Sequence, residues 1–211
     1  MTLSLIIIFS SSFLIALSGA LMPGPLLTVT VSESTQRGAV AGPLMILGHA
    51  ILELTLVLAL LSGLAPFLKR DEVFVVIALV GGCILFWMAV SMFKSLPTLS
   101  LDLSGEEQKP RNLILAGILM SIANPYWTIW WATIGLGYIL HSVKFGIAGV
   151  IAFFIGHIFA DLAWYAFISF SVAKGRTFFN DTIYRRLIAG CALFLIVFAG
   201  YFFYSGIEKL V

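Results

Sequence analysis

The chain has 211 residues, of which 61% are hydrophobic and only 10% charged, with a formal net charge of +2. Soluble domains carry roughly 25% charged residues, so this chain has too little polar surface to coat a water-soluble globule, and no basic patch of the kind nucleic acid needs. Six spans of about 20 residues use nearly all of the length, which argues against a folded catalytic domain outside the membrane.

Apolar runs long enough to cross a bilayer are predicted at about Leu3–Val31, Val40–Leu64, Val73–Phe93, Leu113–Leu140, Phe145–Ala173 and Leu187–Ile207. Residues 1–22 hold no Lys or Arg, so they read as an uncleaved first span rather than a secretory leader. The connections carry most of the charge: Arg37, then Lys69-Arg70-Asp71-Glu72, then His141 to Lys144, then Lys174 to Arg186. The longest connection, about 97–111, holds Pro97, Gly105 and Pro110 and reads as a linker. Eight of the 12 Lys and Arg fall on one side of such a six-span plan and four on the other. The richer side is expected to be cytoplasmic, which puts both termini outside the inner membrane.

The two parts of the chain resemble each other. Gly48-His49 followed by Glu53 matches Gly156-His157 followed by Asp161, and Gly82-Cys83 with Phe86 matches Gly190-Cys191 with Phe194. His49 and His157 are 108 positions apart, as are Cys83 and Cys191. Pro25 in the first span has a counterpart in Pro125 of the fourth. The expected fold is therefore all-α and integral to the membrane: a single transmembrane domain over 1–211, with one repeat at about 1–96 and a second at about 112–211. With three spans each, the halves enter from opposite sides, the inverted-repeat plan of many secondary transporters.

Chemistry concentrates at two kinds of position. Pro23-Gly24-Pro25 and Asn124-Pro125 interrupt the first and fourth spans. Proline removes a backbone donor, and Asn before Pro reads as a helix start. Either break alone is compatible with a simple kink. As a matched pair they are expected to expose helix N-termini, with partial positive charge, to a substrate carboxylate near Gly24, Pro25, Asn124 and Pro125. The second kind is the pair of carboxylates within spans, Glu53 and Asp161, each four residues after a histidine, His49 and His157. That spacing puts histidine and carboxylate on one helix face, and intramembrane charge is costly unless it faces a cavity or a partner. The four residues fit a proton-coupling or ammonium-binding group, a divalent-metal site, or internal hydrogen bonds that lock helices together.

Other polar and aromatic residues have plainer readings. The hydroxyls of Thr28, Thr30, Ser32 and Ser34 read either as the lining of a polar path or, more commonly, as bonded back to their own helix, and Glu33, near a span end, as solvated. Tyr126, Trp127, Trp130 and Trp131 read either as the wall of an apolar pocket or as an interfacial belt. Gly42, Gly48, Gly149 and Gly156 read as close-packing positions. Cys83 and Cys191 read as small residues within spans, with no reactive-thiol context.

The run Ala20-Leu21-Met22-Pro23-Gly24-Pro25, followed by Arg37-Gly38 and by Asn124-Pro125 in the fourth span, resembles the LysE/RhtB family of amino-acid exporters. The resemblance covers essentially the whole chain. It departs at Tyr126, where many members have lysine after Asn-Pro. It implies export of amino acids from the cytoplasm through a six-span carrier driven by an ion gradient. The residues themselves make the expected coupling proton exchange at Glu53 and Asp161 with help from His49 and His157. No cofactor is implied, and a homodimer is compatible with the plan. The wider superfamily includes metal-ion carriers, which keeps divalent metal transport through the same four residues as the alternative.

Overall fold

A computed structural model describes residues 2–64, 66, 70–99, 112–175 and 181–209. Most of the expected linker, 97–111, lies outside the described residues, as do Lys69, Lys109, Arg111 and Arg176, on which the orientation expectation partly rests. The described residues contain no strand. The helices are α1 (Thr2–Ala20), α2 (Pro25–Arg37), α3 (Ala41–Ala59), α4 (Asp71–Ser95), α5 (Leu113–Ile122), α6 (Pro125–Trp130), α7 (Leu136–Ser142), α8 (Gly146–Gly175) and α9 (Asp181–Glu208). A π-helical turn, Leu60–Leu64, extends α3, and another, Trp131–Gly135, joins α6 to α7.

Among the described residues, five helical stretches are apolar and long enough to cross a membrane: Thr2–Ala20, Pro25–Gly63, Asp71–Ser95, Tyr126–Gly175 and Asp181–Glu208. Leu113–Ile122 is a shorter apolar helix. The 50 residues of Tyr126–Gly175 laid straight would span ~75 Å, more than twice the hydrocarbon thickness. Gly146, at φ 68°, turns the chain between α7 and α8, and Gly38, at φ 77°, turns it between α2 and α3. Both positions need glycine, since a Cβ disfavours positive φ. Like the two histidines, they lie 108 positions apart.

Leu3, Ile7, Leu14, Leu54, Leu58, Val76, Trp87, Phe159 and Phe167 all lie exposed on the outer face. An apolar exterior of this extent is what lipid, not water, requires. Inside, helix association has no hydrophobic driving force from lipid and depends on close packing and hydrogen bonds. Two central helices, α3 and α8, pack on each other; α3 also packs on α5, α8 on α1 and α2, and α4 on α9.

Small residues permit these contacts. A Cβ added at Gly48 would lie 1.9 Å from the carbonyl oxygen of Ile114 in α5, and one at Gly156 would lie 2.4 Å from that of Phe9 in α1. Matching glycines thus bring α3 and α8 each against a helix of the other sequence half. Ser12 Oγ donates to the Phe153 carbonyl at 2.7 Å, tying α1 to α8. The Gly42 N–H, free in the first turn of α3, donates to Ser169 Oγ at 3.2 Å, tying α3 to α8. Gly48→Ala and Gly156→Ala are therefore expected to lose about 1–3 kcal/mol through overpacking, while Gly137→Ala, where nothing lies within 4 Å of the added atom, changes little. Thermal unfolding in detergent, followed by loss of the monodisperse peak, measures both.

Candidate functional site

The chain leaves regular helix at Ala20 and resumes it at Pro25, with Gly24 at the cap in an extended conformation (φ −161°). It does so again between Ile122 and Pro125, where Asn124 Oδ1 accepts from the Tyr126 N–H at 3.2 Å and caps α6. Gly24 and Asn124 are neighbours: a Cβ on Gly24 would sit 3.2 Å from Asn124 Nδ2. Both line one cavity together with His49, Glu53, His157 and Asp161. The space there open to the centre of a water molecule is about 40 Å³, room for roughly three waters at ~10–15 Å³ each. That space is smaller than an amino acid.

The four ionisable side chains come from α3 and α8 and are all buried, Glu53 to 1% exposure. His49 Nε2 lies 3.0 Å from Glu53 Oε1 and 3.7 Å from Asp161 Oδ2. His157 Nε2 lies 2.9 Å from Glu53 Oε2 and 3.5 Å from Asp161 Oδ2. The pairs expected within each helix are thus also cross-linked between helices, and Glu53 touches both imidazoles.

The surroundings orient the cluster. Trp127 and Trp131 Nε1–H both donate to Glu53 Oε1, at 2.9 and 2.7 Å. Ser121 Oγ donates to the Gly117 carbonyl at 2.7 Å, so its 2.7 Å contact with His49 Nδ1 is one in which the imidazole N–H donates. The His157 ring is held by packing, with centroids 4.8 Å from Trp130 and 5.3 Å from Trp131.

Not every expected residue lies here. Pro25 lines two other pockets, beside Trp87 and Met88, and not this cavity. The Pro125 side chain lies outside what is described. Glu33 is 8% exposed rather than solvated, and its carboxylate pairs with Arg37 Nε at 2.9 Å, one turn on in α2. Thr28, Thr30 and Ser34 do bond back, to the Gly24, Leu26 and Thr30 carbonyls. Trp130 and Trp131 are buried and not in an interfacial belt. Both cysteines are free, Cys83 exposed and Cys191 buried.

Sequence reading missed Ser121 and the donor role of Trp127 and Trp131. The one available signal was their spacing: two tryptophans four apart after a helix start present two N–H groups on one face, matching an acceptor in a facing helix.

An apolar helical bundle, with two carboxylates and two histidines gathered in a buried cavity between two packed helices, defines a multi-pass membrane protein of the transporter type. Residues 17–206 match the family described as LysE type translocator, and the chain belongs to that family of membrane transporters, which export small molecules. It is also similar to the chemotactic transduction protein ChpE of Pseudomonas aeruginosa, 26% identical over 198 residues that cover 92% of this chain and 96% of that one. No solved structure matches the chain.

Proposed function

We propose that the protein exports amino acids or related small amino compounds across the inner membrane by proton-coupled alternating access. The observation that carries this reading is the meeting, in one buried cavity, of both helix interruptions and all four ionisable side chains. The reading takes the chain as six crossings in two inverted repeats, with the first and fourth crossings broken at proline and both termini outside. It is supported by the shared 108-residue offset of Gly38/Gly146, His49/His157 and Cys83/Cys191, and by the reciprocal packing of α3 on α5 and α8 on α1.

In this mechanism the substrate carboxylate meets the helix N-termini that open at Gly24-Pro25 and Asn124-Pro125. The ammonium approaches Glu53 or Asp161, and proton exchange there, with His49 and His157 as relays, couples efflux to inward proton flow. Room for the substrate comes from rocking the halves apart, since the cavity holds only a few waters.

Purified protein in liposomes loaded with amino acids, under an imposed pH gradient, tests this. Gradient-driven efflux of at least one amino acid is expected, falling to background in Asp161→Asn. Efflux that ignores the pH gradient removes the proton from the cycle. Divalent metals belong in the same screen, and movement of a metal with no amino acid would replace this reading by that of a metal carrier.

A further inference from the structure

We infer that His49, Glu53, His157 and Asp161 form a four-ligand site for a single divalent transition-metal ion of the zinc, cobalt and nickel class. This goes beyond the exporter reading, which gives the cluster protons and an ammonium group, and gives the divalent metal that the sequence left as an alternative a ligand set and a stoichiometry of one. One ligand atom from each side chain falls within 4.8 Å of all the others. The nitrogen–oxygen separations within the cluster are 2.9, 3.0, 3.5 and 3.7 Å. Ligands held at about 2.0–2.2 Å from a tetrahedral ion lie about 3.3–3.6 Å apart, so the contacts of 3.5 and 3.7 Å are already near that spacing, while the widest pair of the set, up to 4.8 Å apart, must close by about an ångström. Two imidazoles with two carboxylates are a donor set that suits this class of ion. The two carboxylate charges neutralise the ion in a setting where net charge is expensive.

Two observations make a cation the fitting occupant. First, Glu53 Oε2 and Asp161 Oδ2 are buried and accept no hydrogen bond, although imidazole nitrogens lie 2.9 and 3.5 Å away. Those contacts are close but do not meet hydrogen-bond geometry, so both oxygens remain acceptors within 4.8 Å of each other and of the two imidazoles. Second, the groups behind two of the four side chains, His49 and Glu53, hold them in a metal-binding arrangement, while His157 Nδ1 is buried with no hydrogen-bond partner among the described residues. Because Ser121 spends its proton on the Gly117 carbonyl, the neutral His49 ring carries its own proton on Nδ1 and turns the Nε2 lone pair towards Glu53 and Asp161. Three sets of lone pairs then face one another across the cavity. Trp127 and Trp131 both engage Oε1 of Glu53 and leave Oε2 free. A histidine whose second nitrogen donates outward, and a carboxylate whose second oxygen is held by donors, are the usual supports of a metal ligand.

The test uses full-length protein in detergent, carrying a tag without histidine and stripped with a chelator. Co²⁺ is titrated and followed by visible absorption and by equilibrium dialysis. One Co²⁺ bound per chain is expected, with the intense d–d absorption of a four-coordinate ion, displaced by Zn²⁺. Asp161→Asn and His157→Gln should lose that absorption, and the exposed His141→Ala should keep it. Ser121→Ala removes one hydroxyl outside the ligand set and should weaken affinity about 10–100-fold, a change that does not depend on the ligand variants folding. Wild-type protein showing only the hexaaqua Co²⁺ spectrum, or binding unaltered in Asp161→Asn and His157→Gln, overturns the assignment. Because no flux is measured, the outcome is independent of the transport assay: protein that binds Co²⁺ and moves no amino acid fails the exporter reading alone.

Discussion

Replacing Glu53 by glutamine is expected to reduce efflux at least about 100-fold and to lower stability by about 3 kcal/mol. The size of both effects follows from how Glu53 is used. Its side chain is 1% exposed. One oxygen receives two indole N–H groups and the other sits 2.9 Å from His157 Nε2. Glutamine can keep one carbonyl oxygen under the two indoles, but it then turns an NH₂ towards His157 and withdraws the charge that both imidazoles face. Asp161 is left as the cluster's one carboxylate, at 3.5 and 3.7 Å from the two rings. Removing one member of a buried charge network leaves its partners desolvated without compensation, which is why the cost exceeds that of a surface pair. Initial rates in liposomes and thermal unfolding in detergent separate the two consequences. A large loss of stability with an undiminished rate would make Glu53 a structural strut between α3 and α8 and remove it from the transport cycle.

How far the sequence foretells this site depends on which interaction is asked about. The membrane class and the helices follow from composition and apolar runs, because lipid imposes length and hydrophobicity directly on the chain. The histidine–carboxylate spacing is visible for the same kind of reason: a four-residue offset fixes a shared helix face whatever surrounds it. That Glu53 reaches across to His157 is not visible, since it depends on how closely α3 and α8 approach their neighbours. The clue to that approach, the matched glycines Gly48 and Gly156, identifies close packing but not the partner helix. Glu33 illustrates the opposite failure. Its place near the end of an apolar run suggested solvation, but α2 ends against packed protein and the charge is met by Arg37. Pro25 shows a third limit, since a break in a helix bears on the cavity through its backbone while the residue that causes it points elsewhere. The tryptophans were hardest to read, because an indole serves equally as belt, wall or hydrogen-bond donor, and only the position of its N–H distinguishes these.

That ambiguity yields the second large effect. Trp131 is 1% exposed and among the largest fully buried side chains. Its ring lies 5.3 Å from the His157 ring and 6.1 Å from Phe153, edge-on to each. Trp131→Ala should therefore cost about 3–5 kcal/mol, the range for emptying a packed aromatic site, and leave little folded protein. Trp131→Phe retains most of the packing and removes the N–H, so it reports on the hydrogen bond to Glu53 Oε1. A cost of about 1 kcal/mol is expected from that bond alone, together with a roughly tenfold fall in efflux, because Glu53 loses one of the two donors that fix it. Trp127 supplies the other donor at 2.9 Å and is less buried, so Trp127→Phe should have a similar but smaller effect. The decisive measurement is the double variant, in which Oε1 is left buried without either indole. If the two donors jointly hold the carboxylate, the combined loss of stability and rate should exceed the sum of the single losses, since the second removal strands an acceptor that the first left satisfied. Strict additivity would mean that the indoles contribute packing at Glu53 and nothing more.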